Sequence, residues 1–193
     1  MVDLGEIQAA YYMVAATGVL VAAIYYVYNM RINQRTMKTT LETRQADILQ
    51  RHAQVMSSQE FEDAWHDVVF NQSFLTYEEW LQDYGPTVNS DAYTHLTALI
   101  QYHETLGGLL RENLVSIELV EKMWQPLHFI CVWDRVEPVI KGWRTRYHED
   151  SLYENFEYLF NRFMERKPDA ALTRKIRHDQ MVQEHEERTR SRP

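Results

Sequence analysis

The longest apolar stretch of the chain runs from Ile7 to Tyr28 and contains no charged residue. About 20 apolar residues rising ~1.5 Å each span the hydrocarbon core of a bilayer, so residues 7–28 predict a single transmembrane helix. Tyr25, Tyr26 and Tyr28 close the run, where tyrosine favours the headgroup level. A cleaved signal peptide fits poorly, because the short tail 1–6 carries Asp3 and Glu6 with no Lys or Arg and the apolar run is too long. Arg31, Arg35, Lys38 and Arg44 all follow the span, and basic flanks resist translocation. The expected topology is therefore single-pass in the cell membrane, with the N-terminus outside and the C-terminal domain cytoplasmic. Ala15, Gly18 and Ala22 share one face of the span at a small-residue spacing that admits a second helix.

Beyond the span the pattern is helical throughout. Residues 29–56 have no Gly or Pro to stop a helix, and Leu41, Ile48 and Val55 recur every seven residues; a juxtamembrane helical stalk is expected, too polar for a coiled coil. The compact body is expected over 57–168. Ser57 with Glu60 reads as a capping box before Phe61, Ala64, Trp65, Val68 and Val69, which lie on one helix face. Thr76 with Glu79 opens a short helix that Gly85 and Pro86 close. Ser90 or Asp91 caps a helix bearing Leu96, Leu99, Ile100, His103, Leu106 and Leu110, with Asn113 a left-handed terminator. Ser116 caps the next. Pro126 then opens a helix through Phe129, Trp133, Val136, Ile140 and Trp143, which Pro138 should kink. Ser151 with Glu154 reads as a third capping box, and Lys167 with Pro168 as the stop. Residues 169–193 offer few apolar side chains, and a frayed helix or charged flexible tail is expected. The fold class is all-α, a bundle of about five helices behind one membrane helix.

Composition changes this picture in one respect. The chain of 193 residues has a net charge of −8, but residues 57–169 hold nine basic against twenty acidic side chains. So acidic a body argues against nucleic acid as a partner. Cys131 is the single cysteine, which excludes an internal disulfide.

Eight histidines raise the question of a metal. His103 and Glu104 are followed by Thr105, Leu106 and Gly107, so the helical zinc spacing is not met, and Asp63 with His66 has no second copy for a di-iron site. No metal and no cofactor is expected, and no catalytic residue is assigned. One polar constellation stands out: Glu104 and Glu157 border core-facing stripes, and Arg135 and Arg144 lie on the Pro138 helix. Paired, they would fix helix register; with a carboxylate of raised pKa, the same set with His103 would form an acid–base pocket.

The segments His103-Glu104-Thr105-Leu106-Gly107, Trp133 with Pro138 and Arg144, and Tyr153-Glu154-Asn155-Phe156-Glu157-Tyr158-Leu159 resemble a family of uncharacterised prokaryotic proteins, domain of unknown function 4760. His103 stands where an aromatic residue would be expected. The resemblance implies an N-terminal membrane helix with a small helical body and supplies no catalytic residues. The expected partners are the lipid bilayer and a protein or a second copy of the chain, and the expected role is an adaptor or scaffold. The alternatives are an accessory subunit of a membrane complex, or a membrane-bound effector or enzyme with a carboxylate or histidine site.

Overall fold

The computed structural model describes residues 4–167 and 169–191; Pro168, expected to end a helix, and the ends of the two tails lie outside them. Among the described residues there is no strand, and the fold is all-α. The elements are α1 (Leu4–Met56), α2 (Gln59–His66), a π turn (Asp67–Asn71), α3 (Tyr77–Tyr84), α4 (Ser90–Arg111), α5 (Ile117–Met123), α6 (Pro126–Tyr147), α7 (Glu154–Arg166) and α8 (Asp169–Ser191).

The chain divides into two compact units, Met1–Ala46 and Asp47–Pro193. The first is helical. Its apolar window has a mean hydropathy of 1.7 with none of it buried, so α1 is long and apolar enough to cross a bilayer. Ala15, Gly18 and Ala22 are exposed, and nothing lies within 4 Å of a Cβ built on Gly18.

The second unit starts ten residues before the expected boundary at Ser57. Leu49 is 1% exposed and joins the core, with Ile48, Ala53 and Met56 packed against it. Leu41 and Val55, the other members of the seven-residue pattern, are exposed. The last turns of the expected stalk are therefore part of the body, on a face one residue removed from the pattern.

Helix α4 is central to the second unit, with its most extensive packing against α7 and then α2; α6 packs against α8, α3 and α7. Leu96, Leu99, Ile100 and Leu106 of α4, Phe129, Val132, Val136 and Ile140 of α6, and Phe156, Leu159 and Phe163 of α7 are fully buried among them. This is the i, i+3, i+4 face read from sequence.

The helix starts follow local chemistry with small shifts. The cap of α2 is Ser58, which accepts from Phe61 N at 3.3 Å, whereas Ser57 donates to Ala53 O inside the last turn of α1. Thr76 caps α3 as expected, but Glu79 accepts from Leu75 N, one residue before the Thr76 amide of a regular box. Asn89 caps α4, displacing both Ser90 and Asp91. Ser116 caps α5, α6 begins at Pro126, and Asn113 is left-handed with φ 56°. Helix α6 runs unbroken through Pro138. In place of the frayed or flexible tail, Asp169–Ser191 form one helix.

Candidate functional site

The predicted constellation forms in part and in a different arrangement. Among the described residues Glu104 meets no arginine. It lies on α4 opposite the start of α7, where Oε2 accepts from Phe156 N at 2.8 Å and Oε1 from Asn155 Nδ2 at 2.7 Å. The reason is local. Ser151, expected to cap α7, donates its hydroxyl to Glu149, and the residue at the cap position, Tyr153, is left-handed with no side-chain cap bond. The first amides of a helix have no partner within it, and the Glu104 carboxylate, reaching from 52 residues away, supplies one together with a charge that suits the helix N-terminus.

Gly107, one turn along α4, completes this seam. A Cβ there would collide with the Asn155 carbonyl, so only glycine lets α7 approach this closely. Arg111, a further turn on, pairs with Glu154 Oε1 at 2.6 Å and donates to Asn155 Oδ1. Glu104, Gly107 and Arg111 thus read the first turn of α7 from one stripe of α4.

Arg144 and Glu157 do pair, with Nη1 to Oε2 at 2.6 Å, while Arg144 Nε donates to Leu152 O at 2.9 Å. The α6–α7 connection lies between two left-handed residues, His148 (φ 54°) and Tyr153 (φ 58°). That conformation costs non-glycine residues roughly 1–2 kcal/mol each, and the Arg144 clamp offsets part of the cost.

Arg135 joins neither glutamate. It is 3% exposed, donates Nη2 to Val69 O at 3.2 Å, and lies 6.0 Å over the Phe74 ring. Its position answers the π turn, which sequence reading takes as ordinary helix. Widening the helix at Asp67–Asn71 frees carbonyls at its end, and Arg135 together with Arg188 of α8, which donates to Phe70 O and Asn71 O, satisfies them. Burial, with Arg177 and Arg188 nearby, pulls the Arg135 pKa down to about 10.

His103 is 0% exposed, and its Nδ1 donates to Leu99 O at 2.6 Å, which leaves Nε2 a bare lone pair without a partner. It sits in a series of near-parallel rings: Trp65 to His128 (5.5 Å, 11°), His128 to His103 (5.6 Å, 23°) and His103 to Phe156 (4.6 Å, 21°). Burial, then the neighbouring His128, pulls the His103 pKa down to about 3, and burial pulls His128 to about 4. Both imidazoles are neutral at pH 7 and stack as flat apolar rings, so His103 fills the place of the aromatic expected in that motif.

Two further polar sets were not singled out in the sequence. Asp67 accepts from His95 at 2.9 Å and from Gln72 at 3.0 Å. Burial alone would raise the Asp67 carboxyl, but hydrogen bonds from His95, Gln72 and Asn71 outweigh it and hold it below its ordinary value. Asp134 and Glu137 of α6 take Arg174 of α8 at 2.7 and 2.6 Å, and the Arg174 guanidinium lies 4.9 Å over Phe160. The signal for the second set is two acids three residues apart on α6, but their partner lies in a segment that reads as a frayed helix or flexible tail. Cys131 is buried. Among the described residues no three His, Cys, Asp or Glu side chains are grouped to hold a metal ion.

A family model, Domain of unknown function (DUF4760), matches residues 13–163. The chain belongs to the DUF4760 family. No curated protein and no solved structure matches it. Within the matched residues, His103 to Gly107 lies on the face of α4 that seats the start of α7, and Tyr153 to Leu159 is the turn and helix seated there, with Arg144 clamping the connection. Helix α8 lies wholly beyond the matched residues.

Proposed function

We propose that this member of the DUF4760 family is a single-pass membrane protein, N-terminus outside, whose cytoplasmic helical body is a non-enzymatic binding module. It acts as an adaptor or scaffold for a protein partner or a second copy. The observation that carries the reading is the employment of the polar residues. Glu104 is spent on an α7 amide, Arg144 on Glu157 and a loop carbonyl, and Arg135 on the π turn, while the bare Nε2 of His103 is sealed in the core at 0% exposure, out of reach of a substrate. The unburied apolar window of α1 and the basic residues that follow it support the anchor and its orientation.

The test is extraction of the full chain in mild detergent and identification of what remains bound in stoichiometric amount, repeated with residues 7–28 replaced by an unrelated apolar span. The adaptor reading expects a protein partner that survives the exchange of span. Loss of the partner with the native span indicates an accessory subunit packed through Ala15, Gly18 and Ala22. A tightly bound stoichiometric metal ion would contradict the non-enzymatic reading.

A further inference from the structure

A crevice with a volume of about 400 Å³ opens beside α2, lined by Met56, Phe61, Glu62, Trp65, His66 and His128. Phe61 and Trp65 are four residues apart and therefore neighbours on α2. The His128 ring of α6 stacks on Trp65 (5.5 Å, 11°) and on Phe61 (6.2 Å, 24°), so a stack of three rings makes up one wall of the crevice. Burial keeps His128 neutral at pH 7, so this wall bears no positive charge.

Among the described residues the one carboxylate that lines the crevice is Glu62. Glu62 is exposed at its lip, and among the described residues no Lys or Arg lines it. Residues 52–110, which supply five of its six lining residues, contain nine Asp and Glu and not one Lys or Arg, while Arg177 of α8 lies in the neighbouring hollow that shares Trp65 and His128. An exposed carboxylate at the lip of an apolar site attracts a cation and repels an anion. An aromatic face, indole above all, attracts a cation by its quadrupole, most strongly where water is displaced.

We propose that this crevice binds an organic cation with an apolar body, its ammonium or guanidinium group against Trp65 and Phe61 and Glu62 its counter-charge. The site is independent of the protein-binding reading, since it rests on the wall chemistry and the local charge alone. His66 at the rim is the second polar group available to such a ligand.

The test is titration calorimetry on the detergent-solubilised full chain with benzyltrimethylammonium as the probe and phenylacetate, the same ring with opposite charge, as its control. The expected result is saturable one-to-one binding of the cation, at least about ten-fold tighter than the anion. Trp65→Leu should weaken the cation about ten-fold. Glu62→Gln, an exposed change that leaves the fold intact, should weaken it about three-fold. Equal binding of both probes, no saturable binding of the cation, or binding indifferent to Glu62→Gln in a protein of unchanged circular dichroism would overturn the proposal.

Discussion

The two contact surfaces that close the helical body use charge in opposite ways. Where α4 meets α7, one carboxylate satisfies a backbone amide, a glycine allows close approach, and His103 stacks on Phe156, which Trp133 of α6 meets edge-on. Where α6 meets α8, Asp134 and Glu137 face Arg174, and Met181 is the buried apolar residue that α8 contributes to the described core. Hydrogen bonds to amides that would otherwise go unpaired are costly to remove, whereas ion pairs at a partly exposed surface are weak and screened. Similar side chains therefore support a fixed seam in one place and a loosely held helix in the other.

Acid should separate the two seams most strongly. The His103 and His128 pKa values are about 3 and 4 when folded against 6.5 as the reference value, so the unfolded chain binds protons that the folded chain refuses. Their contribution is complete above pH 6.5 and is lost as the pH falls from there toward 4, at up to about 1.4 kcal/mol per pH unit for each group. Asp134 acts with the other sign. Burial raises its carboxyl despite Arg174, so its share of stability grows as the pH falls. Unfolding midpoints in denaturant between pH 7 and pH 4.5 should fall, and replacing His103 with Phe should flatten the fall; an unchanged slope in that variant would break the comparison.

Gly107→Ala comes next. The added methyl meets the Asn155 carbonyl, and overpacking against backbone should cost about 3 kcal/mol, read as a lower midpoint of thermal unfolding. Gly108→Ala is the control, since its Cβ would meet only the Asn155 side chain at 3.8 Å or beyond, and it should be neutral or slightly stabilising. The smallest effect is expected at the other surface. Arg174→Ala should cost about 1 kcal/mol at low ionic strength and less in high salt, measured by the same melt, because Arg174 is about a third exposed.

Most helices of the body were legible because an amphipathic face repeats over many residues, as Leu96 to Leu110 do on α4. The pairing of Arg144 with Glu157 was legible for the same reason. Caps were legible in kind but not always in place: Ser58 for Ser57 and Asn89 for Ser90 differ only in which short polar side chain the turning chain presents to its amides. The third box failed because Tyr153 is left-handed, and the group that replaces Ser151 comes from 47 residues earlier, Glu104, where no local window finds it. Arg135 was misassigned for a related cause. A π turn has no pattern in apolar spacing, so carbonyls needing a cation were not foreseen. Helix α8 reads as a frayed helix or flexible tail because it docks mainly by arginine, and ion pairs leave no hydrophobic period to detect.

The central claim is that the most suggestive polar residues of the body maintain structure. Glu104→Ala tests it most directly, through thermal unfolding combined with hydrogen exchange at the Phe156 amide. The account predicts a loss of about 2 kcal/mol, a midpoint lower by roughly 4–8 °C, and faster exchange at Phe156 than at the amides of α2. A variant with an unchanged midpoint and a protected Phe156 amide that nevertheless loses its function in the cell would contradict the account and make Glu104 a functional group.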